Sequence, residues 1–135
     1  MLSSIICLAV EANKKNRELY KHTKEVYHKS DWLQNFCTIH IDIGRGSGKT
    51  EYIKNNLTEK DVVLCNSVNA KREILGDNKN MKIFYEESDL IGISLNVENI
   101  YIDEPDLVFE YFNKEKVYDI FSMCEGEPTF ILLGE

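Results

Sequence analysis

The stretch "IDIGRGSGKT", residues 41–50, decides how the rest of the chain is read. Alternating isoleucines run into three of the seven glycines, and Lys49-Thr50 follows at once. A strand, a glycine-rich turn and a helix opening on Lys-Thr form the physical recipe for a phosphate cradle. Glycines let backbone N–H groups approach phosphate oxygens closely, and the next helix points its positive end at the same place. The lysine ammonium would bridge outer phosphates, and the threonine hydroxyl is a hard oxygen ligand suited to magnesium. Gly44, Gly46, Ser47, Gly48, Lys49 and Thr50 are therefore candidate nucleotide-binding residues, with Thr50 also a metal ligand. The strict pattern GxxxxGK[ST] is not met, because its first glycine falls on Ile43. The plainer alternative is a glycine turn followed by a chance Lys-Thr.

A second feature weighs against that alternative. "NIYIDE", residues 99–104, is an apolar strand ending in an acidic pair. Asp103 can hold a magnesium ion, and Glu104 can orient and polarise an attacking water. Pro105 biases Glu104 away from the helical region, so Glu104 is expected to stay extended. Taken alone, "DEPD" also reads as an acidic helix start favoured by the helix dipole. Two such motifs, each at the end of a strand, favour a nucleotide site.

The whole chain narrows the classes. Its 135 residues suit one domain with a real core, and 43% apolar with 29% charged is ordinary globular composition. Acids outnumber bases 23 to 16, giving a net charge of −7, and only Arg17, Arg45 and Arg72 carry guanidinium groups. Binding nucleic acid unaided usually needs a basic face, so that role calls for a partner. Cys7, Cys37, Cys65 and Cys124 form no CxxC pair and do not cluster with the histidines, which speaks against zinc and for reduced thiols in a cytoplasmic protein. The opening "MLSSIICLAVEANKK" lacks the basic start of a signal peptide, and no stretch approaches a membrane span.

Hydrophobic patterning predicts alternating helices and strands. Residues 4–29 read as a helix with Ile5, Leu8, Ala12, Leu19, Val26 and Tyr27 on one imperfect face. A short helix opens at "SDWLQNF", where Asp31 and Gln34 have capping-box spacing. "TIHIDI", "DVVLC", "MKIFY", "NIYID" and "PTFILLG" read as strands. Between them lie helices at 49–57, from an Asn66 or Ser67 cap to Leu75, and about 106–123, with 86–98 ambiguous. This alternation predicts an α/β domain: a mostly parallel sheet with helices on both faces. His40 and Asp42 share one face of the first strand and read as a hydrogen-bonded pair bracing the loop. Trp32, Tyr20 and Tyr27 read as packing of the N-terminal helices rather than as a base-stacking platform.

From about Gln34 to Glu135 the chain resembles the P-loop NTPase fold of the additional-strand, catalytic-glutamate class. "GRGSGKT" is most similar to viral large-terminase packaging motors, with helicase cores next. The resemblance implies a three-layer fold, and the length reads as one domain over residues 1–135 with residues 1–37 as a helical region packed on the core. The resemblance makes Glu104, Arg45 and Lys49 the catalytic residues. Arg45, three places before Gly48, would be a cis arginine stabilising the γ-phosphate, and Gln34 becomes a candidate reader of adenine beside its capping-box role. The departures are specific. No LSGGQ-like signature precedes Asn99, no arginine follows Arg72 to form a kinase lid, and Gly134-Glu135 stands where the family often has a polar γ-phosphate sensor. The expected activity is magnesium-dependent ATP hydrolysis in a terminase- or helicase-like setting with a protein partner, in the cytoplasm of a host if viral. The competing expectation is a nucleotide-dependent interaction module with little turnover.

Overall fold

The computed structural model describes residues 2–42, 44, 46–77, 80–92 and 96–135. Five strands form one wholly parallel sheet: β1 (Thr38–Ile41), β2 (Asp61–Leu64), β3 (Lys82–Phe84), β4 (Asn99–Asp103) and β5 (Thr129–Leu133). Their spatial order is β1-β5-β4-β2-β3, so the last strand in sequence lies between the first and the fourth. Thr38 pairs with Phe130 and Asn99 with Thr129, which brings the ends of β1 and β4 level across β5. The inner strands read as continuous apolar runs because both their faces are covered.

Period-2 alternation divides the core in two. Ile39, Ile41, Val63, Tyr101 and Ile131 pack with Leu2 and Ile6 of α1 (Leu2–Tyr20), Ile53 of α3 (Lys49–Asn56) and Ile74 of α4 (Val68–Leu75). Val62, Leu64, Ile100, Ile102, Phe130 and Leu132 pack with α2 (Lys29–Phe36), α5 (Pro105–Tyr111) and α6 (Lys114–Ser122). Helices therefore cover both faces, as expected for α/β alternation. The N-terminal helices divide between the faces, with Trp32 buried and stacked on Phe36 at 4.4 Å.

Several local expectations need correction. The helix expected over 4–29 ends at Tyr20, where a 3₁₀ turn over Lys21–Val26 takes over and Thr23 Oγ1 donates to the Tyr20 carbonyl at 2.7 Å. Only Leu2 and Ile6 of α1 are buried, while Leu8, Leu19 and Val26 are exposed, so little apolar burial rewards a longer helix, and Tyr27 packs against Trp32 and Phe36 from beyond the 3₁₀ turn. The Asp31–Gln34 capping box does not form. The second helix starts at Lys29 behind His28, which places both residues inside it.

The helix expected over 106–123 is two helices. Phe112 adopts an extended conformation and stays buried, and Asn113 caps α6 by accepting from Lys116 N at 3.0 Å. Asn113 N also donates to Glu87 Oε1 at 2.7 Å, tying the break to the 3₁₀ turn Glu87–Leu90. Asn113→Ala should destabilise the domain by about 1 kcal/mol, read as a lower urea midpoint with unchanged slope. The Ser67 cap forms as expected, accepting from Ala70 N at 3.1 Å. Among the described residues, no helix is long and apolar enough to cross a membrane.

Candidate nucleotide site

The glycine loop and the acidic pair meet at the carboxyl end of the sheet. Gly44, Gly46 and Gly48 have φ of +85°, +72° and +84°, a region that side-chain-bearing residues rarely adopt. A Cβ at any of the three would meet nothing within 4 Å, so backbone conformation rather than crowding demands glycine there. The turn delivers Lys49 and Thr50 as the first residues of α3, whose N-cap Gly48 offers no side-chain acceptor. Asp42 braces the loop, its Oδ1 accepting from Gly44 N at 3.3 Å. His40 instead places Nε2 2.7 Å from the Gly134 carbonyl, so it does not pair with Asp42, which lies just past β1.

Lys49 is buried at the heart of the site. Its ammonium lies 2.8 Å from Glu104 Oε1 and 3.2 Å from the Gly44 carbonyl. Thr50 Oγ1 donates to Asp103 Oδ2 at 3.3 Å. Residues 53 positions apart in sequence thus touch, because β4 ends level with β1 across a single strand. Burial first, then the neighbouring Glu104 charge, holds the Asp103 carboxyl above the usual carboxylate range, with the Thr50 hydrogen bond and Lys49 opposing. A cation placed beside Asp103 would reverse that balance.

Glu104 is not extended. It has φ 58° and ψ 74°, the only non-glycine residue with positive φ among those described. Pro105 excludes the right-handed helical region but leaves the left-handed one open. Glu104 N donating to the Leu133 carbonyl at 2.9 Å holds it there. Such strain persists only where surrounding contacts over-determine it, and it gathers at functional sites.

A cleft of about 590 Å³ lies over this constellation. Its lining includes Gly44, Gly46, Ser47, Gly48, Lys49, Thr50 and Glu104 of the sequence-predicted residues, while buried Asp103 is not in the lining and joins it through the Thr50 hydrogen bond. Asp42, Glu51, Glu73, Asp106 and Glu135 also line it, making six carboxylates against the single ammonium of Lys49 among the described lining residues. Composition hinted at acidity, but no local signal marked Glu73 as a neighbour of the loop. Gln34 does not line the cleft; it lies half-buried in α2. Arg45 lies outside the described residues. The Ser47 hydroxyl is buried without a hydrogen-bond partner among the described residues, a group of the kind that a bound oxygen-rich ligand would satisfy.

No protein-family model matches the chain, and no curated protein matches it in sequence.

Proposed function

We propose that this domain is a P-loop NTPase that binds ATP with magnesium in the cleft and hydrolyses it. One observation carries the reading: a left-handed glycine turn and a strand-end acidic pair converge so that Lys49 touches Glu104 and Thr50 touches Asp103. The strand order supports it, since β5 is inserted between the loop-bearing strand and the acidic strand, the arrangement named by the additional-strand class. The residues also fit the ligands chemically. Open glycine backbone, the buried Ser47 hydroxyl and the Lys49 ammonium suit phosphate oxygens, while Thr50 and Asp103 supply the hard oxygen ligands that magnesium takes. When bound, the ion would offset phosphate charge and polarise the transferring group.

The chain's own residues divide the remaining work. Lys49 leaves Glu104 for the outer phosphates, and the freed Glu104 accepts a proton from the attacking water. Arg45, by its position in the loop, is proposed to stabilise the γ-phosphate in cis. Six carboxylates around the cleft would repel a bare polyphosphate, so binding should depend steeply on the divalent cation. Calorimetric titration with ATP, ADP and GTP, with and without magnesium, tests this directly. Magnesium-independent affinity, or none at all, would contradict the reading. Asp103→Asn should weaken ATP binding about tenfold in magnesium and leave the residual magnesium-free binding unchanged.

The biological setting we propose is a terminase- or helicase-like ATPase acting with a partner, because the net charge of −7 suits nucleic acid poorly. The acidic rim favours a second reading, in which bound nucleotide shapes a surface for a basic protein partner. Turnover stimulated by DNA or RNA at low salt supports the first. Slow turnover indifferent to nucleic acid supports the second.

A further inference from the structure

Immediately after β5, Gly134 sits against the proposed general base. Its φ is +112°, and a Cβ built on it would lie 2.6 Å from Glu104 Oε2, 2.8 Å from Cδ and 3.0 Å from Oε1. The glycine is held, so the carboxylate, the far end of a side chain, is the part that would have to move. Gly134 N donates to the Ile41 carbonyl at 2.9 Å, and the Gly134 carbonyl lies 2.7 Å from His40 Nε2, so β1 grips the glycine through both its backbone groups. Across from it, Glu104 N donates to the Leu133 carbonyl at 2.9 Å, and Asp106 N donates to the Glu135 carbonyl at 2.7 Å. These bonds fasten the start of α5 to the same segment. With Glu104 already at φ 58°, its backbone has no easy alternative from which to re-aim the side chain.

We infer that Gly134 is a positioning residue for Glu104: the space left by its missing side chain is where the Glu104 carboxylate stands. The inference rests on the reading of Glu104 as general base, and it gives Gly134 a role opposite to that of a polar sensor. Gly134 holds a vacancy at the end of β5 that lets the carboxylate reach 2.8 Å from the Lys49 ammonium. A methyl group there would push the carboxylate out of line with the loop, and small misplacements of a reacting group are expensive in rate.

The test is a double-mutant cycle in the full chain, with Gly134→Ala, Glu104→Ala and the pair. In the Gly134→Ala protein, kcat should fall about fivefold or more while calorimetric ATP affinity stays within about twofold, the split expected when only the reacting geometry suffers. Its melting temperature should fall, and the same substitution made in the Glu104→Ala background should lower it less, because the strain of a Cβ at φ +112° stays while the collision with the carboxylate is gone. Equal destabilisation in both backgrounds would reduce Gly134 to a backbone device and overturn the inference, as would unchanged kcat. If Gly134→Ala alone fails to fold, a folded double variant supports the inference and an unfolded one overturns it. If the parent neither binds nor hydrolyses ATP, the ATPase reading fails, and the melting-temperature cycle still decides whether Gly134 places Glu104.

Discussion

Turnover of ATP by a Glu104→Gln variant falls at least about a hundredfold, the range in which general bases act, while ATP binding holds or tightens. The amide keeps the shape of the side chain, so it fits the vacancy beside Gly134 and leaves the fold alone. It loses the negative charge that draws the proton from water. The gain in affinity follows from the ion pair. Lys49, buried and 2.8 Å from Glu104, already has an anionic partner before any nucleotide arrives. An incoming phosphate competes with the carboxylate for that ammonium, and the amide competes less. Phosphate-release kinetics and calorimetry on the same protein separate the two effects. Parental turnover in this variant would leave Glu104 as nothing more than the residue before α5.

The features that support this prediction were unequally visible in the sequence. "DVVLC", "NIYID" and "PTFILLG" announce strands because inner parallel strands bury both faces and carry uninterrupted apolar runs. Strand order does not follow from such runs. That β5 slots between β1 and β4 depends on pairings across the whole chain, and it is this insertion that sets Thr50 against Asp103. The loop glycines could be read from their spacing, since a chain needing left-handed backbone at alternate positions has few other residues to use.

Local rules failed where tertiary contacts chose among permitted states. Pro105 narrows Glu104 to the extended or left-handed regions, and only the Leu133 carbonyl and the gap at Gly134 select the second. Phe112 continues the apolar period of α5, yet its burial beside the Asn113 cap breaks the helix that the period implied. Asp31 and Gln34 have the right spacing for a capping box at the wrong place, because Lys29 had already begun the helix. Gly134 stands out only as a departure from the polar sensor that the resemblance expects, with nothing to tie it to Glu104. A lone glycine after a strand reads as a turn until the carboxylate beside it is seen.

Lys49→Ala weakens ATP binding at least tenfold, about 1.4 kcal/mol, with little loss of helical signal. Lys49 is the only base among the described residues lining the cleft, which six carboxylates also line. Its removal therefore does more than delete one attraction. The polyphosphate would meet an acidic wall with its nearest counter-charge gone, and Glu104 would lose the partner that now neutralises it. Glu104 remains about one-third exposed, so water can solvate the abandoned carboxylate and the fold need not collapse around it. Alanine also suits the first turn of α3, whose anchor in the core is the fully buried Ile53. Magnesium will recover part of the loss by shielding the phosphates, so the defect should widen as magnesium is lowered. Calorimetry over a magnesium series, with far-ultraviolet circular dichroism as the folding control, measures both. ATP affinity equal to the parent's in a folded Lys49→Ala protein would mean that the glycine turn is only a turn.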